Sequence, residues 1–269
     1  MSWLTSLGLV AVLLLSLGAI VAFAVAVNWL IAHRLGDTPR DRAGMTAAAY
    51  MTALGSLFAI LTGFLISSEY LTLRDARNAL GAEVAAASQL AQASGSLTPA
   101  DTGKLQEDLA AYLTVLPRGE WPALEAGVAG MSPAGERLRA LQSTVFRMSG
   151  KPYVPDAAAR TLQESVNSIT SSRRQRLVIA SSSLPFPLFA LSLLAGLALI
   201  VNSLLVSNRQ GERYGWVAAG IVLAVALDLG AILAISAPFS GAFVVDTQPV
   251  TELLAELQRG AYLPWVGGP

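Results

Sequence analysis

The chain is 269 residues long, 54% hydrophobic and only 13% charged, about half the roughly 25% of an ordinary soluble domain. Its 18 basic and 18 acidic residues cancel, which leaves no electrostatic footprint for nucleic acid. Without cysteine and with one histidine, His33, it has no disulfide framework, no thiolate and little zinc chemistry, so composition argues against a soluble enzyme.

Four apolar stretches interrupt the charge, and each is long enough to cross ~30 Å of hydrocarbon, for which about 20 residues suffice. The first, Leu4 to Ile31, lacks a basic n-region and outruns a signal-peptide core, so a retained span is expected. The second runs from Met45 to Ile66. On one helical face it carries Thr52, Ser56, Ala59, Gly63 and Ser67, small and hydroxylated residues that suit either close helix packing or the lining of a pore. Phe58, Leu61 and Leu65 lie on a neighbouring face, where lipid contact or a dewetting constriction would place them.

Between Glu69 and Ser183 stand 23 of the 36 charges, so this segment is expected outside the bilayer. Leu73, Ala76, Leu80, Val84, Ala87 and Ala91 step by three or four, and no proline separates them from the second span. The spacing predicts one helix from Thr46 to Ala93, roughly 70 Å long at 1.5 Å per residue. Thr98-Pro99-Ala100-Asp101 predicts the next helix start, with Leu105, Leu109, Tyr112, Leu113 and Leu116 on one stripe. Ser132-Pro133 opens another, with Leu138, Leu141, Val145 and Met148, and Glu120-Trp121-Pro122 marks a corner between the two. Lys151 to Pro155 is a rigid connector, after which Asp156 caps a helix that carries Leu162, Val166 and Ile169 towards Pro185. Helices with one apolar stripe must bury it, and these are expected to bundle.

Arg173, Arg174 and Arg176 precede the third span, Leu184 to Val206, as anchoring charges on a solvated face or as an anion attractant. The fourth span, Gly215 to Ala237, holds the packing stripe Ala226, Gly230, Ala234. It also holds Asp228, an acid deep in a span, which suits an ion or proton path or a protonated carboxyl bonded across a helix interface. Trp3, Trp29, Tyr70, Tyr214 and Trp216 stand near span ends as interfacial anchors. An even number of spans puts the termini and the 69–183 segment on one face, and loop arginines favour that face being outside. No phosphate loop, histidine pair or nucleophile–base set occurs, so no cofactor, no metal and no catalytic residue is expected.

Several landmarks resemble the bestrophin-like family of membrane proteins over nearly the whole chain. They are Glu83, Tyr112, the Glu120-Trp121 pair, the run holding Arg173 and Arg176, Pro185, and Pro238-Phe239-Ser240-Gly241 after the fourth span. An acidic–basic pair usually precedes that proline in the family; here the residues are Ser236-Ala237. The resemblance implies a homo-oligomeric channel, typically a pentamer conducting anions, with the second span around the pore and the middle region cytosolic. Asp246, Glu252 and Glu256 are scattered, so the calcium cluster of true bestrophins is not expected.

The expected protein is therefore all-α and polytopic. Residues 1–68 form two transmembrane helices, 69–183 a helical extramembrane bundle, 184–237 two further spans and 238–269 a C-terminal tail. The function expected is that of an oligomeric ion (anion) channel in the plasma membrane of a bacterium, with lipid, a second copy of the chain and small inorganic ions as partners. The alternative is a non-conducting scaffold or sensor whose bundle binds a partner or ligand.

Overall fold

A computed structural model describes residues 9–34, 44–125, 132–181, 184–210, 215–236, 238–239 and 243–263. Every regular element among them is helical. In chain order these are α1 (Leu9–Arg34), α2 (Gly44–Ser94), α3 (Pro99–Val115), a π turn (Leu116–Glu120) and α4 (Trp121–Glu125). Then come α5 (Ala134–Ser149), α6 (Asp156–Ser181), α7 (Phe186–Gln210), α8 (Gly215–Ile235) and α9 (Gln248–Gln258).

Four stretches are long and apolar enough to cross a membrane: Val10–His33, Tyr50–Ser94, Asp156–Ser207 and Gly215–Ile235. The second is longer than a bilayer because α2 continues into the polar bundle, and the third takes in both α6 of the bundle and the apolar α7. The protein is thus an integral membrane protein in which one span, α2, is drawn out into an extramembrane helix. The α2 helix is unbroken for 51 residues, about 75 Å, because neither proline nor a turn signal interrupts it.

Two apolar cores result. In the membrane part, Ile20 and Ala24 of α1, Phe58 and Leu65 of α2, Leu199 and Ile200 of α7, and Val225 and Leu229 of α8 pack together. In the bundle, Leu80 and Leu90 of α2, Leu109 and Leu113 of α3, Leu141 and Val145 of α5, and Leu162 and Ile169 of α6 do so.

Local chemistry sets the bundle's corners. Thr98 caps α3 by accepting the Asp101 amide at 3.4 Å, and Pro99 takes the first turn, where no amide partner is needed. The Thr102 hydroxyl donates to the Ser94 carbonyl at 2.6 Å, tying the end of α2 to α3. Lys151 in the connector donates to both Asp101 oxygens, at 2.6 and 2.5 Å, and Tyr153 bonds the same carboxylate. The Lys151 hydrogen bonds hold the half-buried Asp101 carboxyl below the usual carboxylate range.

Two features depart from the sequence expectation. Part of residues 238–269 is not a tail: α9 docks Val250, Leu253 and Leu257 into the bundle core. The α9 segment lies against α3 and α2, where the Gln106 amide donates to the Tyr262 carbonyl at 2.9 Å. At Ser132-Pro133 the Ser132 hydroxyl accepts the Ala134 amide at 3.1 Å at the start of α5 but also reaches a second, buried partner.

Candidate functional site

The first candidate is the outward face of α2. Its opposite face is occupied: Leu65 is fully buried, Phe58 is 5% exposed, and the buried Thr62 hydroxyl donates to the Phe58 carbonyl at 2.9 Å. A methyl group on Gly196 of α7 would stand 2.9 Å from the Phe58 ring and 2.9 Å from Val225, so α2, α7 and α8 meet here closely. This corrects the constriction expected at Phe58 and Leu65, whose side chains fill the protomer's own core. Leu61, the third of that set, is half-buried against the same core. Sequence periodicity finds an apolar face but not which side of it the other helices take.

Thr52, Ser56, Ala59, Gly63 and Ser67 are all exposed within the protomer, and no atom comes within 4 Å of where a Gly63 side chain would begin. Beside this small and hydroxylated stripe runs a second exposed one of Leu57, Ile60 and Phe64. One helix thus presents a polar-to-small strip and an apolar strip, side by side, to whatever surrounds the protomer. Asp228 is half-buried on α8 rather than on this face. The Ala226–Gly230–Ala234 stripe packs: a methyl on Gly230 would stand 2.6 Å from Ser16 Oγ of α1, and that hydroxyl reaches the Ala226 carbonyl at 3.4 Å.

The second candidate is a buried polar cluster within the bundle, between α2, α3 and α6. The π turn sets it up. Pro117 lacks the amide that would continue an α-ladder, and the wider turn closes through the Trp121 amide on the Leu116 carbonyl. Glu120 is thereby turned fully inward. There Arg173 of α6 donates through Nε at 3.0 Å and Nη2 at 2.8 Å to Glu120 Oε2, which also accepts the Ser132 hydroxyl at 3.2 Å.

Arg176, one turn along α6 and fully buried, donates to Glu83 of α2 through Nε at 3.0 Å and Nη2 at 3.2 Å. The same Nη2 stands 2.7 Å from Glu120 Oε1, an ion pair off line for a hydrogen bond. Arg176 Nη1 has no hydrogen-bond partner, and the guanidinium carbon lies 4.9 Å from the centre of the Trp121 ring, a cation–π distance. Tyr112 of α3 donates its hydroxyl to Glu83 Oε1. Trp121 donates to the Val245 carbonyl at 3.3 Å and meets Phe239 edge-on, centroids 5.7 Å apart.

Two carboxylates and two guanidiniums balance in this cluster. Burial, then the Glu83 charge, pushes the Tyr112 hydroxyl well above its ordinary pKa. Burial alone would loosen the Arg176 proton, but Glu83 and Glu120 outweigh it and Arg176 holds its proton more firmly than a free arginine. Buried charges survive only when paired and bonded in this way, so the cluster is a locked joint between α2, α3, α6 and the segment after α8.

The structure therefore gathers Glu83, Tyr112, Glu120, Trp121, Arg173, Arg176 and Phe239 at one place, with Pro238 buried beside them. Ser240 and Gly241 lie outside the described residues. Arg173 and Arg176 are bonded inward rather than spread on a solvated face, which corrects that expectation; Arg174 alone of the three is exposed. Sequence reasoning read Ser132 only as part of a helix start and missed its hydrogen bond to Glu120.

The chain matches the bestrophin-like domain over residues 18–250. It resembles the crystal structure of a bacterial bestrophin homologue from Klebsiella pneumoniae, determined with a mutation, at 15% identity and a TM-score of 0.66, covering 93% of this chain and 98% of that one. A second structure of the Klebsiella pneumoniae homologue, phased with zinc, gives 15% identity and 0.66 over 93% and 96%. A third, described only as that of a membrane protein, gives 14% identity and 0.66 over 93% and 96%. At this identity the likeness is one of fold. No curated protein matches.

Proposed function

The chain belongs to the bestrophin-like family, and from that membership we propose that it is a homo-oligomeric channel for small anions, with α2 lining the pore. One observation carries the proposal: the stripe Thr52, Ser56, Ala59, Gly63, Ser67 stays exposed along the span while the far side of α2 is packed by α7 and α8. In a ring of copies that strip faces the axis, and its Ser56 and Ser67 hydroxyls offer donors to a partly dehydrated anion. The adjoining Leu57, Ile60 and Phe64 then meet the neighbouring copy. The bundle continues the axis as a vestibule, and a pentamer in a bacterial plasma membrane is the assembly by which this reading extends the fold of the Klebsiella pneumoniae homologue.

The deciding experiment pairs an image of the purified particle with halide flux from liposomes. A ring with a central axis, and flux altered by Ser56→Ala, are expected. A monomer or dimer without flux overturns the proposal and leaves a scaffold or sensor.

A further inference from the structure

A cleft of about 310 Å³ opens between α5 and α6, apart from the α2 face and independent of whether the assembly conducts. It falls at the small end of the range for ligand pockets, roughly 300–1,000 Å³. Arg139, Leu138 and Gln142 wall it from α5; Thr170, Arg173 and Leu177 do so from α6. Among the described residues no acidic side chain lines it.

Part of the donor capacity of its two arginines is unspent within the described residues. Arg139 folds back along its own helix, Nε donating to the Gly135 carbonyl at 3.3 Å, and among the described residues it has no carboxylate partner. Arg173 spends Nε and Nη2 on Glu120, which leaves Nη1 unused. Gly135 lies beside that guanidinium, and a side chain there would begin in van der Waals contact with it, 3.5 Å from Nη2 and 3.8 Å from Nη1. Gln142 donates to Thr170 Oγ1 at 2.8 Å, which fixes its amide on the wall. Leu138 and Leu177 supply an aliphatic surface beside these cations.

The geometry points to a binding site for a small organic monocarboxylate. Its carboxylate sits between Arg139 and the free edge of Arg173, and its short aliphatic body lies on Leu138 and Leu177. Guanidinium forks match a carboxylate in shape and charge, whereas the leucines favour an anion that brings carbon with it. The ligand shares Arg173 with Glu120, so occupancy reaches the buried cluster directly.

The test is calorimetric titration of the full-length detergent-solubilised protein with butyrate, beside acetate, inorganic phosphate and uncharged butanol. Saturable butyrate binding is expected, tighter than acetate or phosphate and absent for butanol. Arg139→Gln should weaken it about tenfold, the loss expected for one charge-assisted contact. Arg137→Gln, an exposed arginine about 200° around the same helix, should leave it unchanged. No saturable butyrate binding, equal binding of butanol, phosphate as tight as butyrate, or equal loss in Arg137→Gln and Arg139→Gln each overturns the assignment.

Discussion

At Arg176 a single side chain closes three contacts at once, on Glu83, on Glu120 and on the Trp121 ring. Replacing it with methionine leaves two carboxylates buried without their shared cation. The expected loss is about 3–5 kcal/mol, seen as a lower denaturation midpoint of the solubilised protein. Tyr112 gives a pH test. Its folded pKa is raised, so the unfolded chain loses that proton first. The stabilisation is complete below about pH 10 and drains away as pH climbs beyond it. Tyr112→Phe should cost roughly 1–3 kcal/mol at neutral pH, by removing one of the two hydrogen bonds to Glu83 Oε1, and should flatten the alkaline fall in melting temperature.

Between elements, the packing of the span helices rests on two glycines. Gly196→Leu would drive carbon into Phe58 and Val225, and Gly230→Val into Ser16 and Leu13, where a Cβ already falls inside 3 Å. Either change should cost about 1–3 kcal/mol or more, measured as thermal stability in detergent, whereas Gly55→Ala meets open space and should be neutral. The same contrast explains what the sequence made legible. Helix length, the α2 continuation and the Thr98 start follow from periodicity and capping, which are local. Which face of α2 is inside depends on α7 and α8, far away in sequence, so Phe58 and Leu65 looked like pore candidates. The α9 helix was hidden because Val250, Leu253 and Leu257 give only three apolar steps in a short segment. The partners of Glu83 lie 29 and 93 residues away, and no spacing rule links them.

For the whole molecule, the α2 face sets the experiment. Gly63→Trp places a large ring where the protomer has empty space, so the protein should fold and assemble as before. If that strip lines a pore, halide flux in liposomes should fall by at least about tenfold, since a constriction acts on every ion that passes. Asp228→Asn, on a different helix, should leave flux within about twofold at neutral pH, since the lining is expected from α2 alone.

The unbroken α2 helix also makes the molecule a lever. Glu83 and Gly63 lie on one continuous helix about 30 Å apart, with no proline between them. A tilt of only a few degrees about the Glu83 joint displaces the Gly63 strip by roughly an ångström or more. A change that loosens the charges around Glu120 and lets α2 tilt at Glu83 would therefore move the Gly63 strip, with no rearranged loop needed to carry it.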